Sequence, residues 1–336
     1  MLSSSSQPSI LKVQKPLIAD DDGVFTLSFL LLPEYAMVSL LSAIEPLRIA
    51  NRLAGKTLFR WQCFSEDGEP VLASNGLALQ DSLSIHASEK PRNLFVNASF
   101  HPEKHASDTS IKWLRELHRL GFMIGALDTG CYLLAKAKLL EGYPITLHWE
   151  AKPCFQERYP ELEISDELFE IQGKRVTCAG GTAATDMMLY LIDAYFEPEL
   201  AILVCEQLIK SAARNQTDHQ RASQAEKLKL HHPKMVKALA LMAANIETPL
   251  ATSDLADHLA ISVRHLERLF LQYLACSPSA YYVQMRVEHA RYLLSDSGLS
   301  IADIALACGF SSTAHFSRRY RALYGTTASQ YRSGIQ

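Results

Sequence analysis

The feature that most limits what this chain can fold into is an internal repeat near its end. Ile301 to Tyr331 reads IADIALACGFSSTAHFSRRYRALYGTTASQY, and DLADHLAISVRHLERLFLQYLACSPSAYY upstream carries the same pattern. Asp303, Ile304 and Ala305 match Asp254, Leu255 and Ala256 at an offset of 49. After one inserted residue at Ser311/Ser312 the offset becomes 50, pairing Phe316 with Leu266, Arg318 with Arg268, Tyr320 with Phe270 and Tyr331 with Tyr281. Helical periodicity alone does not reproduce one turn grammar twice, so an arbitrary all-helical bundle is disfavoured.

Each copy has the grammar of a helix-turn-helix. A short helix with a small inner residue (Ala256, Ala305) reaches a turn at Ala260-Ile261 or Gly309-Phe310, and Ser262 or Ser312 then caps a second helix. A capping hydroxyl accepts from first-turn amides that lack a helical partner. Leu266, Leu269 and Phe270, and in the other copy Phe316, Tyr320 and Leu323, are spaced as core-facing stripes. The opposite faces present Arg264, His265 and Arg268, then Thr313, Ser317 and Arg318, as candidate DNA contacts. Arginine reads guanine bidentately or binds phosphate, and position alone leaves that choice open. Between the copies, Ser277-Pro278 opens a helix striped by Val283, Val287, Ala290 and Leu294. A rigid spacer of this kind would set two recognition helices in successive major-groove segments, roughly 34 Å apart.

From about Pro233 to Arg332 the sequence resembles the AraC family of bacterial transcription regulators, through the run ALACGF…HFSRRYRALYG and its upstream copy. Ala328 stands where that family usually has proline, a departure confined to the terminal turn.

Charge agrees once the chain is divided. The whole carries −3, but the part from His232 onward is +3 and the part before it −6. The basic excess is modest, so phosphate contacts depend on placement more than on bulk charge. Seven cysteines without CxxC pairing fit reduced core thiols, not a disulfide framework or zinc site, and no metal or other cofactor is expected. No apolar run is long enough to span a membrane. The start MLSSSSQPSILKVQKP lacks the basic n-region and apolar core of a signal peptide, which predicts a cytoplasmic protein.

The earlier residues alternate between strand and helix patterns. Strands are predicted over 25–32, 59–65, 78–84, 93–98, 122–127, 143–147 and 175–179. Helices are predicted from Val38 to Arg52 on Val38, Leu41, Ile44, Leu47 and Ile49, then over 109–120, 131–140 and 182–195. This predicts an α/β sandwich with a mostly parallel sheet, followed by an all-α double helix-turn-helix domain. The expected boundaries are a disordered tail over 1–22, a sensing domain over 23–205, a linker over 206–232 and a DNA-binding domain over 233–336.

Ligands of such sheets bind beyond the carboxyl ends of strands. Two ends carry unusual residues, Asp128-Thr129-Gly130 and His148-Trp149-Glu150. Asp128 and Glu150 supply negative charge and Trp149 an aromatic face, a combination suited to a cation. Amides at Gly181 and Thr182, opening a helix, would suit the carboxylate of a zwitterion. Each has a plainer reading: Asp128 capping the next helix, Trp149 filling core, His148 holding a backbone carbonyl, and Gly180-Gly181 permitting close packing.

The strand-elbow-helix IGALDTGCYLLAKAKLLEGYPITLHWE resembles the PfpI-type fold, whose enzymes place a nucleophilic cysteine at the elbow. Here the elbow residue is Asp128, which cannot act as a thiolate; Cys131 with His148 is the remaining, less favoured nucleophilic pair. With EPLRIANRLAG, TLHWE and TCAGGTAATDMMLYLI, the chain from about Phe25 resembles the GlxA-type subgroup of AraC regulators. That resemblance implies an activator responding to a quaternary amine or basic amino acid, such as carnitine, glycine betaine or arginine. It also implies a homodimer acting on a double-stranded operator with RNA polymerase. The rival expectations are a repressor of the same architecture and a PfpI-like hydrolase fused to a DNA-binding domain.

Overall fold

The computed structural model describes residues 14–80, 82–220 and 232–334, and the chain divides at 220/221 into two compact units. The first is built on a seven-stranded sheet: β1 (Phe25–Leu31), β2 (Phe59–Ser65), β3 (Leu83–Ser84), β4 (Asn93–Ala98), β5 (Met123–Asp128), β6 (Phe169–Gln172) and β7 (Arg175–Cys178). The order is β3-β2-β1-β4-β5-β7-β6, parallel except for the antiparallel edge strand β6.

Strand alternation assigns the two faces. Leu27, Phe29 and Leu31 of β1 pack with α1 (Met37–Ala54), α5 (Ala183–Tyr195) and α6 (Pro198–Gln207). Leu30 and Leu32 pack on the other face with α2 (Asp108–Arg119), α3 (Cys131–Lys136) and α4 (Lys152–Arg158). With both faces covered, central strands can be apolar throughout, as the six buried residues of β4 are.

Several expectations need correction. The strand expected over 78–84 shrinks to β3, and 143–147 holds only an isolated bridge from Ile145 to Ile164. The helix expected over 131–140 ends at Lys136, and Lys138 adopts φ 59° just beyond. On α1, the expected Ile44, Leu47 and Ile49 are buried, but Val38 and Leu41 are exposed, and Leu40, Ala43 and Ala50 pack into the core in their place. The short elements α4 and β6 were not anticipated.

Both ends of the unit also extend further than expected. Within the stretch read as a tail, Leu17 is buried in the core, and the Ile18 amide donates to Asn93 Oδ1 at 2.7 Å. Residues 1–13 lie outside the described residues. Of the expected linker, 208–220 pack back onto the sheet domain: Arg214 reaches Asp186 and Thr182, while Gln220 reaches Thr146 and Leu147. The remainder, 221–231, lies outside the described residues.

The second unit comprises α7 (Pro233–Ala244), α8 (Thr252–His258), α9 (Val263–Leu274), α10 (Pro278–Asp296), α11 (Ile301–Ala307), α12 (Thr313–Tyr324) and α13 (Ala328–Ser333). The two helix-turn-helix units are α8–α9 and α11–α12, joined by α10. Their turns share one geometry: Ala260 and Gly309 take φ 49° and 72°, and Ile261 and Phe310 donate their amides to Ala256 and Ala305. Ser262 and Ser312 cap the following helices, accepting from the His265 and His315 amides at 3.2 and 3.3 Å. Leu266, Leu269 and Phe270 are buried as expected, as are Phe316 and Tyr320, but Leu323 is exposed. Tyr324, one helical turn beyond Tyr320, takes the inner place, with ring centroids 4.8 Å apart. At Ala328 the terminal turn closes without proline, because Thr327 and Gln330 form a reciprocal capping box.

Candidate functional site

Asp128 ends β5 in the left-handed region, at φ 59°, where an L-residue other than Asn or Asp is costly. The sharp reversal brings the strand ends together. The His148 amide donates to the Asp128 carbonyl at 3.3 Å, so the loop of His148, Trp149 and Glu150 hangs from the elbow. Gly180 must come just as close: a Cβ there would lie 2.7 Å from Asp128 Cβ and 2.8 Å from its carboxylate. For Gly180, close packing is therefore a requirement.

The Asp128 carboxyl is buried, and Ser39 of α1 donates to Oδ2 at 3.4 Å. Burial pushes its pKa up to about 7, with a smaller push from the Glu150 charge, against the pull of the Ser39 hydroxyl and the Thr129 amide. Asp128 does not cap α3, whose N-cap is Gly130 without a side-chain bond. The carboxyl is instead turned toward Ser39 of α1.

The other expected residues divide. His148 and Trp149 are half-buried, their rings 5.4 Å apart, and Glu150 is exposed beside them. Thr129 donates its hydroxyl to the Ser99 carbonyl, and a Cβ on Gly130 would collide with the Val96 carbonyl, so both serve the turn itself. The Gly181 amide already donates to Ser39 Oγ at 2.7 Å. Thr182 is exposed at the start of α5 and its hydroxyl accepts from Arg214 at 3.0 Å.

Sequence reasoning missed Ser39, which joins the elbow to the Gly180-Gly181 turn. Ser39 stands between Val38 and Leu40 on a helix that also carries Ser42, Glu45 and Arg48, so nothing in the sequence marked it. Sequence reasoning also missed Asn97, whose Nδ2 donates to the Ala36 carbonyl while Oδ1 is buried without a partner among the described residues. Nothing in the local pattern distinguishes that asparagine.

Cys131 is fully buried, donates to the Thr146 carbonyl at 3.3 Å, and is held as a thiol because burial pushes its pKa well up. No group of three or more His, Cys, Asp or Glu among the described residues is arranged to hold a metal ion. No helix among them is long and apolar enough to cross a membrane.

On the second unit, Arg264 and Arg268 of α9 and Thr313 and Arg318 of α12 are exposed, with His265 and Ser317 half-buried beside them. The stripes Leu266–Phe270 and Phe316–Tyr320 fix which face each helix turns outward. Arg319 adds an exposed cation on α12, its Nε donating to His315 at 3.4 Å.

Residues 255–334 match a family model described as a helix-turn-helix domain. Over nearly its whole length the chain is also similar to named regulators. The HTH-type transcriptional regulator CdhR of Pseudomonas aeruginosa is 44% identical over 305 residues, covering 91% of this chain and 90% of that protein. GbdR of the same species is 40% identical over 309 residues, 92% of this chain and 84% of that protein. GlxA of Rhizobium meliloti is 36% identical over 316 residues, 94% and 97% respectively. Similarity that runs through both the sheet unit and the paired helix-turn-helix units shows that the chain belongs to the GlxA-type group of the AraC family of DNA-binding transcription regulators.

Proposed function

We propose that this regulator is an activator switched by a small cationic nitrogen compound bound at the Asp128 elbow, in the class of carnitine, glycine betaine and arginine. The observation that carries the reading is the buried Asp128 carboxyl, whose described partners are a hydroxyl and an amide and whose pKa stands near 7. An uncompensated buried carboxylate is costly, and a ligand cation offsets that cost. Trp149 contributes an aromatic face and Glu150 a second negative charge to the same loop. For a zwitterionic ligand, Thr182 at the start of α5 is the favoured end for the carboxylate, since the Gly181 amide is committed to Ser39. The buried thiol of Cys131 and the carboxyl at the elbow favour sensing over catalysis. In this reading the protein acts in the cytoplasm as a homodimer, engages an operator through both helix-turn-helix units, and recruits RNA polymerase.

The test is a thermal-shift screen of carnitine, glycine betaine, choline and arginine on the full chain and on Asp128→Asn. A true inducer at about 100 times its Kd stabilises the native state by about 2.7 kcal/mol. The expected result is a rise in melting temperature for one of these compounds that Asp128→Asn removes. Equal shifts in both proteins would overturn the assignment. Deletion of the gene should leave target promoters uninducible; raised transcription without ligand would identify a repressor instead.

A further inference from the structure

Arg286 lies midway along α10 and is buried, although nothing about reading DNA directly requires a cation there. Its Nε donates to the Cys308 carbonyl at 2.9 Å and its Nη2 to the Gly309 carbonyl at 3.1 Å. The guanidinium lies over the Phe310 ring, 4.2 Å from the centroid. All three partners belong to the turn of the second helix-turn-helix. Phe310 in turn meets His315, in the first turn of recognition helix α12, edge-on at 5.5 Å. One side chain of the spacer thus grips the turn that aims α12.

The same region of α10 grips the first repeat. Tyr282, one helical turn before Arg286, donates its hydroxyl to the Asn245 carbonyl at 2.5 Å, and Tyr282 and Met285 sit in the core with Leu266 and Phe270. The turn held by Arg286 is also wedged against the segment that leads from α7 into the first repeat. A Cβ at Gly309 would lie 2.6 Å from the Ile246 carbonyl and 2.8 Å from that of Glu247. Two carbonyls that already terminate α11 gain a charged donor, and charge-assisted bonds of this kind are stronger and more directional than neutral ones. Arginine's planar fork donates to the two carbonyls from two nitrogens while lying over the Phe310 ring, a geometry that lysine's single ammonium does not reproduce.

We propose that Arg286 is a positioning residue that fixes the separation and twist between the two recognition helices, so that the protein accepts one spacing between the two groove segments it reads. It touches no base in this role; it acts through the α11–α12 turn. One inserted base pair moves the second segment by ~3.4 Å and rotates it by roughly 35°. A pair of helices locked together cannot follow that change, whereas a loosened pair can.

The experiment uses the full chain and a duplex that it recovers from a random library. Two derivatives accompany it: one with a single base pair inserted between the two protected segments, one with the second segment scrambled. Binding of wild type, Arg286→Met and Arg286→Lys is measured by fluorescence anisotropy, with melting temperature as the check on folding. Wild type should lose ~10-fold or more on the inserted duplex. Arg286→Met keeps the stem over Phe310 but removes both donors. It should bind the parent duplex ~10-fold more weakly, in proportion to the charged hydrogen bonds lost, show a smaller insertion penalty, and match wild type on the scrambled duplex. Arg286→Lys should fall between them. If Arg286→Met does not fold, the lysine variant decides by the same two ratios. An insertion penalty equal to that of wild type, or an equal loss on the parent and scrambled duplexes, would overturn the proposal, because a general loss of stability predicts the latter.

Discussion

Asp128 shows how much one side chain's surroundings can determine. Its folded pKa of about 7 stands above the ordinary 3.8, so between those values the native state holds a proton that the unfolded chain releases. Stability attributable to this group therefore falls as pH rises through that window, and the full penalty applies above about pH 7. At ~1.36 kcal/mol per unit the penalty reaches a few kcal/mol at most. Asp128→Asn keeps the shape and removes the charge, so it should stabilise the protein by a few kcal/mol at pH 8 and change little at pH 4. Urea denaturation at the two pH values measures this, and an equal difference at both would exclude Asp128 as the cause. A bound cation favours the ionised form. Inducer binding should release a proton below pH 7, with affinity falling by up to ~10-fold per unit there, and calorimetry in buffers of different ionisation enthalpy detects that proton directly. In Asp128→Asn the proton release should disappear.

At the scale of elements, the recognition helices were legible because their signals are local. Left-handed turn residues, capping serines and an apolar stripe each lie within a few residues, and the repeat displays them twice. That legibility supports a concrete expectation for Arg268 and Arg318, which occupy equivalent exposed positions on α9 and α12. Replacing either with Ala should weaken operator binding by ~1–3 kcal/mol where the arginine reads a base, with relaxed preference at one position. Loss spread evenly over sequences, with a salt slope reduced by ~1, would instead mark a phosphate contact. Gly309→Ala belongs to the same scale: a Cβ there would meet two backbone carbonyls, so thermal melting should show the second unit destabilised. Elements that depend on distant partners were harder to read. The start of α1 is apolar nearly all round, so Val38 and Leu41 spelled a stripe as plausible as that of Leu40 and Ala43, and only the sheet chose between them. Leu323 failed for a related reason, because the core continues from Tyr320 by four residues to Tyr324 and not by three. The two strand ends of the candidate site were legible where chemistry is unusual in sequence, at Asp128 and His148, which the structure brings together. The site was not legible where an ordinary residue gains its role from packing, as Ser39 does between the elbow and the Gly181 amide.

Across the whole molecule, the part the sequence suggested least is the strap after α6. The Asp186 side chain is fully buried and receives Lys210 at 2.9 Å together with the Arg214 backbone amide at 2.8 Å and Nε at 2.9 Å. Both cationic side chains are partly exposed, 25% and 38%, so part of the attraction is screened by water. The strap nevertheless crosses both loops of the proposed ligand site. Arg214 donates to Thr182 at one end, and Gln220 donates to the Leu147 carbonyl, next to His148, at the other. The chain then continues to the DNA-binding unit. Asp186→Asn removes the charge that anchors the strap while leaving every proposed ligand contact in place. It should cost about 2 kcal/mol of stability, less than a fully buried pair because the freed cations regain water. Hydrogen exchange should quicken over 208–220 in the variant, and inducer should slow exchange there in wild type more than in the variant. Operator binding without ligand should survive, while its response to ligand should shrink. Unchanged exchange over 208–220 in Asp186→Asn would show that the strap is held by its other bonds and that Asp186 does not govern it.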